Sequence, residues 1–277
     1  MEMWIAILPD ETDLSAEDLY RKGLSRVDPT SRAKITKFYR KADAWRCLLG
    51  RLLPRQLLKQ RDVASDDIRF DATSAGKPFL SHPVLDPPIA YNIAHDSSLV
   101  VMAFQRNARD SLEIGADVMR VALPKGVTLS SFINILTEQL SPSELKNLRE
   151  TEATDPAVTL QTLFWLWTLK EAYTKTLGLG LGFDFSRITF DVRNDIVYVD
   201  EVPLSGFEFV LLELDVLLGR DTGRYQGVAA RRMGDEAGEG DVPSTIVRRS
   251  VVFKEQHDWM KFWDAADLVE NCDILVI

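Results

Sequence analysis

The stretch WTLKEAYTKTLGLGLGFDF, Trp167 to Phe185, decides how the chain is read. Apolar residues recur at helical spacing from about Thr159 to Leu177, and Gly178 then supplies a stop. The glycines close a helix and precede a strand pattern, RITFDVRNDIVYVD. A dinucleotide fingerprint would do the reverse, following a strand and opening a helix, and its spacing is not that of Gly178, Gly180 and Gly182. No Gly-Lys-Ser or Gly-Lys-Thr occurs here, which excludes a P-loop.

Two readings of the helix stay open. In the first, Glu171 and Lys175 form an exposed i, i+4 pair and the glycines only cap the helix. In the second, the charges carry chemistry. Trp167, Glu171 and Lys175 form one stripe, and Lys170 stands about 100° round the axis from Glu171. Asp117 in EIGADVMRV closes a buried-strand pattern. Asp117 and Glu171 are hard oxygen donors of the kind that hold Mg²⁺ while substrate phosphates complete its shell, with lysines beside them to offset phosphate charge.

Working outward, MEMWIAILPD reads as a first strand, and Ser15 to Lys59 as mostly helical, with Pro54 kinking or restarting the helix. DIRF and GKPFL are short strand candidates, followed by strands in IAYNIAHDSSLVVMAF and LEIGADV. Ser141-Pro142-Ser143-Glu144 is a capping-box start. Arg193 to Asp195 marks a hairpin, and FEFVLLELDV another strand. Gly234 to Ile246 reads as a polar mobile loop before a strand in RRSVVF and a last helix. Each half carries helices and strands, with domains expected at 1–110 and 111–277, the first binding cofactor phosphates and the second bearing metal and catalytic residues.

Composition narrows the function. The chain of 277 residues has a net charge of −9, against general nucleic-acid binding. The run from Arg32 to Arg61 is nevertheless cationic, opposed only by Asp43, which suits a small polyanion or an acidic partner, or is simply a solvated helix face. Cys47 and Cys272 match no metal or redox spacing and suggest a reducing compartment. No apolar run is long enough to span a bilayer, and the N-terminus lacks a signal-peptide pattern, so a cytoplasmic location is expected.

Five motifs then fall in one order: Phe38-Tyr39 with Asp43-Ala44-Trp45-Arg46; DIRF with GKPFL; YNIAH; IGADV; and WTLKEAYTKTLGLGL. In that order, from Arg32 to Phe190, the chain resembles the phosphopantetheinyl transferases of the surfactin-synthetase-activating type, including eukaryotic members. The resemblance implies an α+β pseudo-dimer of two similar α/β halves with the coenzyme A site between them. It implies Mg²⁺-dependent attack by a carrier-protein serine on the β-phosphate of coenzyme A, releasing adenosine 3′,5′-bisphosphate. It assigns Asp117 and Glu171 as metal ligands, Glu171 also as base, and Lys170 and Lys175 as a pyrophosphate clamp. Arg46, Lys77, His95 and, as a weaker match, Lys34 would hold the nucleotide phosphates.

The expected partners are acyl, peptidyl or aminoadipate-reductase carrier proteins, met by a monomer that binds neither nucleic acid nor membrane. The sequence departs from the family pattern at Met119, where many members carry a second acid, and at Ala94, where a serine is usual. A thioether is a poor Mg²⁺ ligand, so Asp96 is expected to make up part of that site. The competing expectation is a non-catalytic coenzyme A or carrier-protein binding module of the same fold.

Overall fold

The computed structural model describes residues 1–10, 15–108, 113–179, 182–218, 221–233, 242–255 and 257–273. They divide into two compact units, Met1–Leu112 with Lys254–Ile277, and Glu113–Phe253.

In the first unit β1 (Glu2–Ile7) is followed by three helices, α1 (Ala16–Leu24), α2 (Pro29–Ile35) and α3 (Lys41–Lys59). Asp28 caps α2 by accepting from Ser31 N–H at 2.8 Å, and Pro29 takes the first helical position, where no N–H is needed. α3 runs continuously through Pro54 rather than restarting there. Proline removes one helical hydrogen bond. Leu48, Leu49, Leu52, Leu53, Leu57 and Leu58 are buried on both sides of it, and that burial outweighs the loss. β2 (Arg69–Ala72) and β3 (Pro78–His82) form a small antiparallel pair, and β4 (Ala90–Asp96) and β5 (Leu99–Gln105) a hairpin.

The second unit repeats the plan. β6 (Ile114–Arg120) is followed by α4 (Leu129–Ile135), α5 (Pro142–Glu152) and α6 (Pro156–Leu177). A small sheet of β7 (Ile188–Asp191), β8 (Ile196–Val199) and β9 (Val202–Pro203) precedes the long hairpin β10 (Phe207–Leu218) and β11 (Asp221–Arg232), and β12 (Thr245–Val252) ends the unit. Gly178 stops α6 in the left-handed region at φ 69°, with its N–H donating to Lys175 O and Leu179 N–H to Thr174 O. Gly182 has open space around it, and Gly180 lies outside the described residues.

The two main sheets share a three-strand core. In each, the first strand pairs antiparallel with the third and the third with the second, giving β1-β5-β4 and β6-β11-β10. In each, the helices and the small sheet lie in sequence between the first and second strands. This is the α+β pseudo-dimer expected from the sequence. The fourth strand breaks the likeness: β12 lies parallel beside β10, whereas β13 (Met260–Asp264) lies parallel beside β1.

β13 and the following α7 (Ala265–Asn271) correct the expected division at 110/111. The chain leaves the second unit at Phe253, and Lys254–Ile277 completes the first. β1 has an edge to fill, and Trp263, Leu268 and Val269 join its buried core. β11 is a second element absent from the sequence reading, because its glycines and arginines weaken a strand pattern. Of the expected loop after Arg232, residues 234–241 lie outside the described residues. Among the described residues no helix is long and apolar enough to cross a membrane, and both cysteines are unpaired.

Candidate active site

The second unit brings Asp117, Glu171 and Lys175 together. Gly115, two residues before Asp117 on β6, makes this possible: a Cβ there would lie 2.1 Å from the carbonyl oxygen of Ala172 and 2.4 Å from Thr176 N. The missing side chain lets the strand lie directly on the helix turn that carries Glu171. Lys175 Nζ donates to Asp117 Oδ1 at 2.7 Å and pairs with Glu171 Oε2 at 3.7 Å. The Glu171 side chain is only 13% exposed, so this is not the solvated surface pair of the first reading.

Burial pushes the Asp117 carboxyl up to about 6, against the pull of Lys175, and the neighbouring Glu171 carboxylate adds to the rise. Its second oxygen, Oδ2, is buried with no hydrogen-bond partner among the described residues. An orphaned buried carboxylate oxygen beside a second carboxylate is a donor set that fits a hard divalent cation. Among the described residues no group of three or more His, Cys, Asp or Glu could hold a metal, so such an ion would take two carboxylates here and find its remaining oxygens on substrate and water. Met119, next on the Asp117 face of β6, offers only a thioether.

Lys170 does not join this group. Its ammonium donates to Glu144 Oε2 at 2.6 Å, to Gln139 O at 2.9 Å and to Phe185 O at 3.1 Å, which uses all three N–H bonds. Its side chain is 1% exposed and that of Glu144 2%. Burial holds the ammonium below the usual lysine range, with Glu144 opposing. The expected role of Lys170 in a pyrophosphate clamp is therefore corrected: one step round α6 from Glu171 the helix faces the core, so Lys170 is a structural cation. Glu144 also accepts from Ser141 N and Phe190 N, both at 2.8 Å, tying α5 and β7 to α6.

In the first unit Arg46 on α3 donates to Asp43 and to the carbonyl of Ser97, at the β4–β5 turn. That hydrogen bond to Arg46 holds the Asp43 carboxyl below its usual range, and Arg40 and His95 add to it by charge. Arg46 and His95 thus lie around one carboxylate. Lys77 is 7% exposed and follows a turn in which Gly76 has φ 85° and Thr73 N–H donates to Lys77 O. Asp96 ends β4, and Lys34 is exposed on α2. Three contributors escaped the sequence reading. Glu144 was visible as a helix start but not as the partner of Lys170. Asp43 stood in the first motif without a role as the partner of Arg46, and Gly115 stood in IGADV without a packing role.

Residues 15–107 match the profile of the N-terminal domain of 4′-phosphopantetheinyl transferases, and residues 113–206 that of the 4′-phosphopantetheinyl transferase superfamily. The chain is 39% identical over 238 residues to 4′-phosphopantetheinyl transferase pptA of Paxillus involutus, covering 84% of this chain and 88% of that one. It is 31% identical over 183 residues to 4′-phosphopantetheinyl transferase Sfp of Bacillus subtilis (66% of this chain, 74% of that one). It is also 31% identical over 169 residues to the L-aminoadipate-semialdehyde dehydrogenase-phosphopantetheinyl transferase of Mus musculus, 60% of this chain. The match spans about half of that relative, 53%.

Proposed function

Since the chain belongs to the 4′-phosphopantetheinyl transferase superfamily, we propose that Asp117, Glu171 and Lys175 carry the transfer of phosphopantetheine from coenzyme A to a serine of a carrier protein. The observation that carries the assignment is the buried, unpartnered Asp117 Oδ2 beside Glu171. Asp117 and Glu171 would hold the divalent ion, Mg²⁺ in this proposal, which when bound neutralises charge on the pyrophosphate oxygens.

The chain's own residues do the rest. Glu171 takes the proton of the serine hydroxyl as its oxygen bonds to the β-phosphorus. The bond from that phosphorus to the bridging oxygen breaks, and adenosine 3′,5′-bisphosphate leaves with the bridging oxygen. Lys175, already within reach of both carboxylates, offsets charge on the departing phosphate. Arg46, His95, Lys77 and Lys34 are assigned to the phosphates of coenzyme A. Arg46 and His95 are supported by their shared position around Asp43. Asp96 is proposed to supplement the metal site in place of the acid that Met119 replaces, and an Asp96→Asn enzyme should need more Mg²⁺ for half-maximal rate.

The carriers are acyl, peptidyl or aminoadipate-reductase carrier domains, the last in keeping with the name of the Mus musculus relative. A monomeric enzyme in the cytoplasm completes the proposal, the second part supported by the unpaired Cys47 and Cys272. The test is the mass gain of an apo carrier protein incubated with coenzyme A and Mg²⁺. Wild type should add one phosphopantetheine, and Glu171→Gln should do so at least about 10²-fold more slowly. Unaltered transfer by Glu171→Gln would reject the assignment, and wild-type binding without transfer would favour the non-catalytic module.

A further inference from the structure

Phe38 and Tyr39 play no part in the site above, yet both are exposed, Phe38 by 47% and Tyr39 completely. They sit in a short connector between α2 and α3 that is held in shape rather than loose. Phe38 N–H donates to Ile35 O at 3.3 Å, Ile35 is fully buried, and Arg40 opens α3 from an extended backbone. The same stretch of chain carries Lys34, Lys37, Arg40 and Lys41, all exposed. Lys41 is fixed by Glu17 at 2.6 Å and by the ring of Tyr20, 3.6 Å from its ammonium. Among the described residues no carboxylate pairs with Lys34 or Lys37.

Presenting two aromatic rings to water is unfavourable unless something covers them. A small ligand is a poor candidate, because such ligands bind in concave sites and a fully exposed ring has no facing wall. Exposed aromatic rings beside an arginine are instead the composition of protein-interface anchors. In a chain of net charge −9 this local cationic run selects a partner surface that is acidic with an apolar residue among its acids.

We infer that the connector Lys37–Lys41 is the docking surface for the carrier protein, with Phe38 and Tyr39 covering its apolar residue and Lys37 and Arg40 pairing its acids. This rests on the transferase reading above and names where that substrate is held.

The test titrates an apo acyl carrier protein at saturating coenzyme A, then coenzyme A at saturating carrier, for wild type, Phe38→Ala/Tyr39→Ala and Lys37→Glu. Both variants should raise KM for the carrier at least about tenfold while KM for coenzyme A stays within about twofold. In the charge-reversed variant kcat/KM for the carrier should also lose its fall with added salt. An unchanged carrier KM overturns the inference, and so does an effect confined to coenzyme A, which would give the rings to the nucleotide. Circular dichroism melting of the same variants guards against a folding defect, and Tyr39→Phe, which keeps the ring, should behave as wild type. Should wild type fail to transfer, the transferase reading falls. Binding of the apo carrier measured by fluorescence anisotropy then still decides whether this connector is the docking surface.

Discussion

The two units solve one packing problem in two ways. Each lays a long helix on a sheet, and each such helix carries a buried cation tied to the N-terminal cap of the helix before it. In the first unit Arg55 on α3 reaches Asp28, the cap of α2, at 3.1 Å; in the second Lys170 on α6 reaches Glu144, in the capping box of α5. The difference lies in water. Asp28 keeps 39% of its side-chain surface, while Glu144 keeps 2%. The second unit therefore holds its helix by a fully desolvated network, and it is on that helix that Glu171 and Lys175 must meet Asp117. A solvated tie permits small adjustments, whereas a buried pair satisfied on every side locks the rotation of α6. That contrast teaches where positional accuracy is concentrated in this fold.

The comparison can be broken at its strongest point first. Glu171→Gln or Asp117→Ala should lower transfer by about 10²–10⁴-fold with the fold retained, read as carrier-protein mass gain alongside an unchanged circular dichroism spectrum. Equivalent losses of turnover from Arg46→Ala in the first unit would erase the proposed division of labour. Next comes Lys170→Met, which strands Glu144 in the core and should cost about 3–5 kcal/mol in denaturant unfolding. A cost below about 1 kcal/mol would show that the network does not lock the helix.

Gly115→Ala should follow, at about 1–3 kcal/mol or more, since its Cβ would meet the backbone oxygen of Ala172 and cannot be relieved by a rotamer change. Transfer should fall with it as β6 is pushed from α6, and a fully active Gly115→Ala enzyme would contradict the close packing.

The pH response sharpens the same site. The Asp117 carboxyl titrates near 6 in the folded chain and near 3.8 when unfolded. The folded state thus binds the proton more tightly, so stability from this group is fully present below about pH 4 and is lost as pH rises to about 6. The loss is on the order of 2 to 3 kcal/mol, at about 1.4 kcal/mol per pH unit. Asp117→Asn should remove that decline in urea melts measured without metal between pH 4 and 7. Divalent-ion affinity should run the other way, weakening as pH falls below about 6, because the protonated carboxyl is a poor ligand. The smallest effect is expected for Arg55→Met, about 1–2 kcal/mol, since Asp28 can hydrate once its partner is gone.

Much of the second unit could be read without coordinates. The capping box at Ser141, the stop at Gly178 and the hairpin about Arg193 to Asp195 are local events, set by residues within one turn of each other. The stripe of Glu171 and Lys175 follows from helix period alone. The failures share a cause. β13 is five residues long and its partner β1 lies at the other end of the chain, so no local pattern could assign it to the first unit. Lys170 and Lys175 look alike in sequence, and only the position of the core distinguishes the lysine with three acceptors from the one between two carboxylates.

The sequence by itself determined the local elements, because helix period, caps and strand alternation act over short distances, and the order of its five motifs carried the resemblance to the family. The tertiary structure alone decided which lysine meets Asp117 and Glu171 and which is buried against Glu144, that Gly115 brings β6 onto α6, and that the last strand returns to the first. Those outcomes depend on which surfaces are withdrawn from water together, a property of the folded chain and not of any segment within it.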